Sequence, residues 1–548
     1  MDRKLNEDTT EKDYDMEKLS IAQSPDILSK NNQDGGGLEP TITRLTVLGT
    51  DAGTVQNYNA AGQRLLLPSP SDDPNDPLNW SKARKWYITC LVCCAVFCCN
   101  FITAGPSIAI LQQNETFGTP TAKTAYLFTA AALTQGLSLI VWAPITAKFG
   151  RRFTYVISFV IFTAFIFGAG ATNTWGANMA CRLILAFASG AGELLGPLTI
   201  SDLFFVHERS LPFALYNSFL SVGVGLAFVI DGWVTEAAGW RAIYWVSGAL
   251  IGTVTLLVIF TFPETIYRRG PVPQIYAGDE RNIDYSRKES WAMSLRLVCQ
   301  KDRRTKESWT MLFLRPLLLL TYPAVCWNGF VFAVTIGALV AVTSNVAPAY
   351  AQTYGFGPGY TGSAFVAAII GSLFGIFGGK IADIVSDKET KKNGGRREPE
   401  MRLQPFLPAL ITTPLSLLLY GAGIQYKLHW IMPTIGLGLC NFSIVWGTSI
   451  AMVYMVDCIK PLAEEAVASV LAFKAIIGFV LAFYTNEWVV AQGYLNAYGE
   501  FASISSFFML CVFIFIFWGK TLRLKALDWP QIRFVRWDED RDDVIIED

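Results

Sequence analysis

Charge is scarce in this chain. Of its 548 residues only 16% are Asp, Glu, Lys or Arg, and 66 of those 89 are gathered into four segments, 1–85, 263–316, 384–402 and 520–548. The other 361 residues carry 23 charges, too few to clothe a water-facing surface, which excludes a row of soluble domains. Histidine is scarcer still. His207 and His429 are the only two, so a multi-His metal centre or a His-based catalytic site has no material to be built from. A net charge of -1 offers no basic surface to a nucleic acid. The tempting Gly519-Lys520-Thr521 has Ile514 where a phosphate-binding loop needs glycine, so neither ATP nor any cofactor is expected, and the chain does not read as an enzyme.

What is present is apolar: 52% of the chain is hydrophobic and 13% aromatic. Lipid penalises charge but not exposed Leu, Ile or Phe, so this composition fits a bundle of helices in a bilayer. Five of the eleven cysteines (Cys90, Cys93, Cys94, Cys98 and Cys99) fall in the first apolar stretch and read as small apolar packing. Residues 1–85 are polar and turn-rich, with Gly35-Gly36-Gly37 and the run from Pro68 to Pro77. They read as a disordered tail and not as a secretory signal.

A hydrocarbon core about 30 Å thick needs about 20 apolar residues. Twelve such runs occur, from Trp86–Leu111 to Phe501–Trp518, and the fold class expected is an all-α integral membrane protein of twelve transmembrane helices. Six spans lie in 86–262 and six in 317–519, around a charged central loop, 263–316, with a second tail at 520–548. Basic residues set orientation. Lys148, Arg151, Arg152, Arg209 and Lys460, eleven basic residues in 263–316 and six in 384–402 share one side, against Lys123, Arg241 and Lys427 on the other. Both termini are therefore expected in the cytoplasm. The sequon Asn114-Glu115-Thr116 then falls in the first external loop, where a glycan could be attached.

The six-span period has an internal echo. After the second span stands Ala143-Pro-Ile-Thr-Ala147-Lys148-Phe-Gly150-Arg151-Arg152; after the eighth, Gly379-Lys380-Ile-Ala-Asp383 and then Gly394-Gly395-Arg396-Arg397. With these motifs the chain resembles the major facilitator superfamily over residues 79–523. Asp76-Pro-Leu-Asn-Trp80, the stretch from Leu198 through Asp202 to Arg209, and Gly239-Trp240-Arg241 are similar to its fungal twelve-span drug:proton antiporter branch, some members of which resemble cation and polyamine permeases. The resemblance implies two six-helix halves in the plasma membrane, rocking about a midplane cavity lined by spans one, four, seven and ten, in a protein expected to act as a monomer. It also implies proton-driven movement of a small organic solute, with export of drugs or secondary metabolites expected first. Uptake of cationic solutes such as polyamines comes second, and a transporter-like receptor without net flux third. The family's motifs are incomplete: Ala147 stands where the first turn motif has Asp, and the fifth span reads Gly223-Val-Gly225-Leu-Ala227-Phe228-Val-Ile-Asp231-Gly232 in place of the antiporters' Gly-Pro.

Charge at bilayer depth costs about 2.5 to 3.5 kcal/mol per residue on insertion scales, so each such group needs a cavity or a partner. Arg182, Glu193, Asp231, Asp457, Lys474 and Glu487 qualify, as candidates for substrate or proton work or, alternatively, for anchoring and pairing. Arg182, at the family's arginine position, and Glu193 are eleven residues apart. Three helical turns place both on one face of the fourth span, about 16 Å apart. Glu193 is a candidate proton-coupling carboxylate or, alternatively, the partner of a base such as Lys474. Asn100, Trp327, Asn328, Asn441 and Trp446 are candidate pocket residues or helix cross-links.

Overall fold

In the computed structural model, residues 66–267, 289–298, 308–459 and 462–527 are described, with 55–56, 58, 64 and 529. Among them twelve helices are long and apolar enough to cross a membrane: Lys82–Phe117, Lys123–Phe149, Arg151–Ala171, Trp175–Leu203, Ser210–Ala238, Trp240–Thr261, Pro323–Tyr354, Pro358–Lys392, Pro399–Gln425, Ile431–Cys458, Ala463–Gln492 and Tyr494–Ala526. They are numbered here as spans one to twelve. The protein is an all-α membrane bundle.

Local chemistry sets where the spans start, bend and turn. The hydroxyls of Ser81 and Thr174 accept the N–H groups of Arg84 and Ala177, capping spans one and four. Span one is interrupted after Ala104 by a 3-10 turn, Gly105–Ala109, because Pro106 has no N–H to donate up the helix. Its last segment, Ile110–Phe117, carries Asn114, so the sequon expected in a loop lies in a helical turn, with Thr116 accepting a bond from Trp240. The tight turns between spans two and three, five and six, and eleven and twelve each pivot on a left-handed glycine: Gly150 (φ 106°), Gly239 (φ 78°) and Gly493 (φ 84°).

Several boundaries differ from those read in the sequence. Span one starts at Lys82, four residues early, because Lys85 buries its stem and donates to the Leu78 carbonyl. The 66–81 stretch assigned to the tail is tied down, with Asp76 capping Pro77–Asn79 and the Val206 N–H bonded to the Leu67 carbonyl. Residues 1–54 of that tail, 268–288 and 299–307 of the central loop, Lys460 and 530–548 lie outside the described residues. The last span runs to Ala526, eight residues beyond Trp518, because the buried Arg523 finds Glu400 at 3.1 Å. A short helix, Trp309–Leu319, occupies the end of the central loop.

Span two packs on span eleven and span five on span eight, and both seams are built from small residues. A methyl group on Gly136 would overlap the Ala475 methyl, and one on Gly362 would overlap the Phe228 carbonyl. Where those backbones touch, the Phe228 and Phe365 rings stack 4.2 Å apart.

Candidate functional site

Spans four and eleven meet at a buried ion pair. The Lys474 ammonium donates to one Glu193 oxygen, and the amide N–H of Gln135, from span two, donates to the other at 3.3 Å. Glu193 is 3% exposed and Lys474 7%, so neither charge has appreciable water to rely on. Glycines let the helices come this close: a methyl group on Gly190 would strike the Gln135 carbonyl, and one on Gly192 the Cys99 sulfur.

The network continues along span four. The Gln135 side-chain amide oxygen accepts from the Thr103 hydroxyl at 3.2 Å, and the Thr103 main-chain carbonyl accepts from Arg182 at 3.4 Å. Arg182 also donates to the Tyr244 hydroxyl at 3.0 Å and lies over the Phe128 ring. Arg182 and Glu193 are thus joined through Thr103 of span one and Gln135 of span two. Gln135 and Thr103 were not singled out in the sequence, where uncharged polar residues in apolar runs carry no signal of depth or direction.

Asp231 is fully buried in span five against the Gly105 turn of span one, and neither carboxylate oxygen has a hydrogen-bond partner among the described residues. Glu487 is exposed on the outer surface of span eleven, apart from the buried network. Asn441 accepts from Ser221, which in turn accepts from Ser372 at 2.9 Å, tying spans five, eight and ten. Asn100 donates to the Val96 carbonyl one turn back in its own helix, at 3.0 Å. Asn328 is buried and donates to the Met455 sulfur. The two tryptophans serve helix contacts: Trp327 sits among Phe406, Tyr454 and Phe515 and donates to the Phe508 carbonyl, while Trp446 lies on Gly378 and donates to the Pro405 carbonyl.

At the end of the bundle where span three begins, Arg151 pairs with Asp202 at 3.3 Å and with Glu464 at the head of span eleven. Arg152 donates to the Ile259 carbonyl in the last turn of span six and to the Phe262 carbonyl just beyond it, and Glu264 accepts the Arg151 and Arg152 N–H groups. Burial raises the Glu264 carboxyl above its ordinary pKa, and those N–H bonds oppose the rise. The second copy of the turn motif is held by different partners. Gly379 packs against the Ser210 carbonyl, but Asp383 is held at 2.8 Å by Arg402, which also takes Asp457 at 2.7 Å and donates to Ser210 and the Val206 carbonyl. Arg396 and Arg397, matched by sequence to Arg151 and Arg152, instead form a strand antiparallel to Val55–Gln56, and Arg397 lies 3.6 Å from Asp387. The reason is geometric: Gly394 and Gly395 turn the chain before it reaches the ninth span, so the first arginines after the turn are not at the helix start.

A family model described as Major Facilitator Superfamily matches residues 90–482. The chain belongs to the major facilitator superfamily. In sequence, this superfamily member is 27% identical over 474 residues to the MFS transporter cpaT of Aspergillus oryzae, covering 83% of this chain and 90% of that protein. It is 25% identical over 448 residues to the efflux pump radE of Floropilus chiversii, covering 80% and 81%. The branch it resembles is the fungal, drug-efflux-like one. In fold it is similar to the proton:xylose symporter XylE bound to 6-bromo-6-deoxy-D-glucose, with a TM-score of 0.56 at 14% identity over 80% of this chain and 97% of that one. The human organic anion transporter MFSD10 gives 0.54 at 12% identity, over 78% and 99%. The superfamily assignment makes the protein a multi-pass membrane transporter of small solutes and not an enzyme.

Proposed function

We propose that this superfamily member is a proton-coupled exporter of small organic solutes such as drugs or secondary metabolites, with its Arg151 and Arg402 end facing the cytoplasm. The observation that carries the reading is the buried Glu193–Lys474 pair, because it joins span four to span eleven through groups whose charge a proton changes. Protonating Glu193 removes the anion that holds Lys474, which loosens that contact as an incoming solute or a returning proton would require. The orientation follows from the basic residues Lys148, Arg209, Lys388, Lys391 and Lys392 on that side. The likeness to an efflux pump supports export as the direction.

Reconstituting the full chain in liposomes under an imposed pH gradient, with ethidium as the probe, tests this. Accumulation of ethidium in acid-loaded vesicles, lost in Glu193→Gln protein that binds the probe as before, is the expected result. Accumulation only under the reversed gradient would assign uptake, and flux indifferent to the gradient would remove proton coupling.

A further inference from the structure

Span five holds a second buried acid that the ion-pair network does not reach. Both oxygens of Asp231 lack a hydrogen-bond partner among the described residues, and the residue is 0% exposed. Its Oδ2 lies 1.8 Å from where a Gly105 methyl group would stand, so the carboxyl rests directly on the backbone of the broken turn in span one. The Ala227 methyl lies on the same side, and one residue along, Gly232 abuts the Pro358 carbonyl at the head of span eight. An ionised carboxylate confined among backbone and methyl groups, with neither cation nor donor, is strongly unfavourable, and such a group takes up a proton.

The charged and titratable groups at this end of the neighbouring helices are engaged elsewhere. Glu236, on the same helix, accepts the Gly359 N–H at 2.8 Å. On span six, Arg241 donates to the Thr172 carbonyl and to Asn173, and Tyr244 accepts from Arg182 of span four. On span eight, the Tyr360 ring is exposed beside Trp233. The 3-10 turn of span one contributes no titratable side chain.

We propose that Asp231 is a proton-binding site in its own right, separate from Glu193: a carboxylic acid while the protein is closed, ionising when span one's Gly105–Ala109 turn and the head of span eight draw away. The residue stands eight positions before Gly239, about 12 Å from the end of the bundle opposite Arg402. Between it and that end the seam is clasped by the Glu236–Gly359 bond and by the Trp233 indole donating to the Ser363 hydroxyl at 3.2 Å. Breaking the clasp wets Asp231. Its O–H bond then breaks, the electron pair stays on the carboxylate and the proton passes to water at that end. Reclosure draws one proton back, so the closed state is regenerated only by protonation. The site rests on the proton-coupled reading for its part in transport, but not for its protonation.

Infrared spectroscopy of the full chain in liposomes, with aspartate labelled by carbon-13 at the side-chain carboxyl, tests the protonation directly. The expected spectrum at pH 7 shows an isotope-shifted carbonyl band of a protonated carboxyl, present in native and Glu193→Gln protein and lost in Asp231→Asn. Asp231→Glu should keep a band at the unlabelled frequency, which guards against misfolding of the Asn variant. Absence of any Asp231-dependent band between pH 5 and 7 in native protein overturns the proposal. Should the band appear while ethidium flux ignores the pH gradient, Asp231 remains a proton site and the coupled-export reading falls alone.

Discussion

Arg402 does at the head of span nine what Arg151 does at the head of span three. Arg151 takes Asp202 from the foot of span four and reaches across to Glu464 at the head of span eleven. Arg402 takes Asp457 from the foot of span ten and reaches across to Ser210 at the head of span five. Each corresponding position is six spans from its counterpart. One arginine clamp has been built twice, each copy closing the same end of the bundle. Each arginine holds two carboxylates, but the second differs in origin: Arg402 takes Asp383 from its own half, whereas Arg151, with Ala147 in the place of Asp383, takes Glu464 from the other half.

Removing Arg402 therefore strands two acids. Arg402→Ala is expected to destabilise the protein by about 3 to 5 kcal/mol, the usual cost of leaving a buried partner uncompensated. Arg402→Lys should fall between, because an ammonium has no planar fork to serve Asp457, Asp383 and Ser210 together. Thermal unfolding in detergent, followed by intrinsic fluorescence, measures both; an Arg402→Ala protein as heat-stable as the native one would show that Asp457 does not depend on the clamp.

At Glu193 and Lys474 the double substitution should cost less than either single one. Lys474→Met leaves Glu193 buried without its cation, and Glu193→Gln leaves Lys474 without its anion, so each alone is expected to lower the melting temperature. Combined, they remove both charges, and because a buried pair gains little net energy over apolar packing, the double variant should recover most of the loss. Strictly additive losses would mean that the two residues act independently.

The spans were legible because about 20 consecutive apolar residues have few alternatives, and so were the charges that chemistry forbids at that depth. Arg182, Glu193 and Lys474 stood out for that reason, and the structure brings all three into one chain of contacts, with the Lys474 partnership among the alternatives the residues had suggested. Direction was not legible. Helices that are apolar all round carry no stripe to say which face turns inward. Trp327 and Trp446, set down as pocket residues or helix cross-links, lie in helix-to-helix contacts, and Gln135 and Thr103 were passed over. Arg402 was hidden differently: it closes a run of basic residues whose charge had already been accounted for as orientation.

His207, in the turn between spans four and five, gives a pH signature. Burial, together with the Arg64 and Arg397 guanidiniums, lowers its pKa to about 4 from an ordinary value of 6.5. The unfolded chain thus binds a proton at a pH where the folded one does not, and stability falls as pH drops from 6.5 through 4. Native protein should lose melting temperature over that window, and His207→Asn should flatten the slope there while leaving the region above pH 7 unchanged. An unaltered slope would place the acid sensitivity elsewhere.

Gly362 tests the seam between spans five and eight. A methyl group there would lie 2.1 Å from the Phe228 carbonyl oxygen, and backbone, unlike the end of a flexible side chain, has little room to give. Gly362→Ala should therefore push the helices apart where Phe228 stacks on Phe365, loosening the Trp233–Ser363 bond one residue along. A cysteine placed at Ser363 reports the change: it should react faster with a water-soluble maleimide in the Gly362→Ala background than in the native one. Gly118→Ala is the control. Among the described residues Gly118 has nothing within 4 Å of its missing methyl group, and its left-handed φ of 60° makes the substitution locally strained without touching the seam. Equal labelling in all three proteins would mean that the seam absorbs the methyl group without parting.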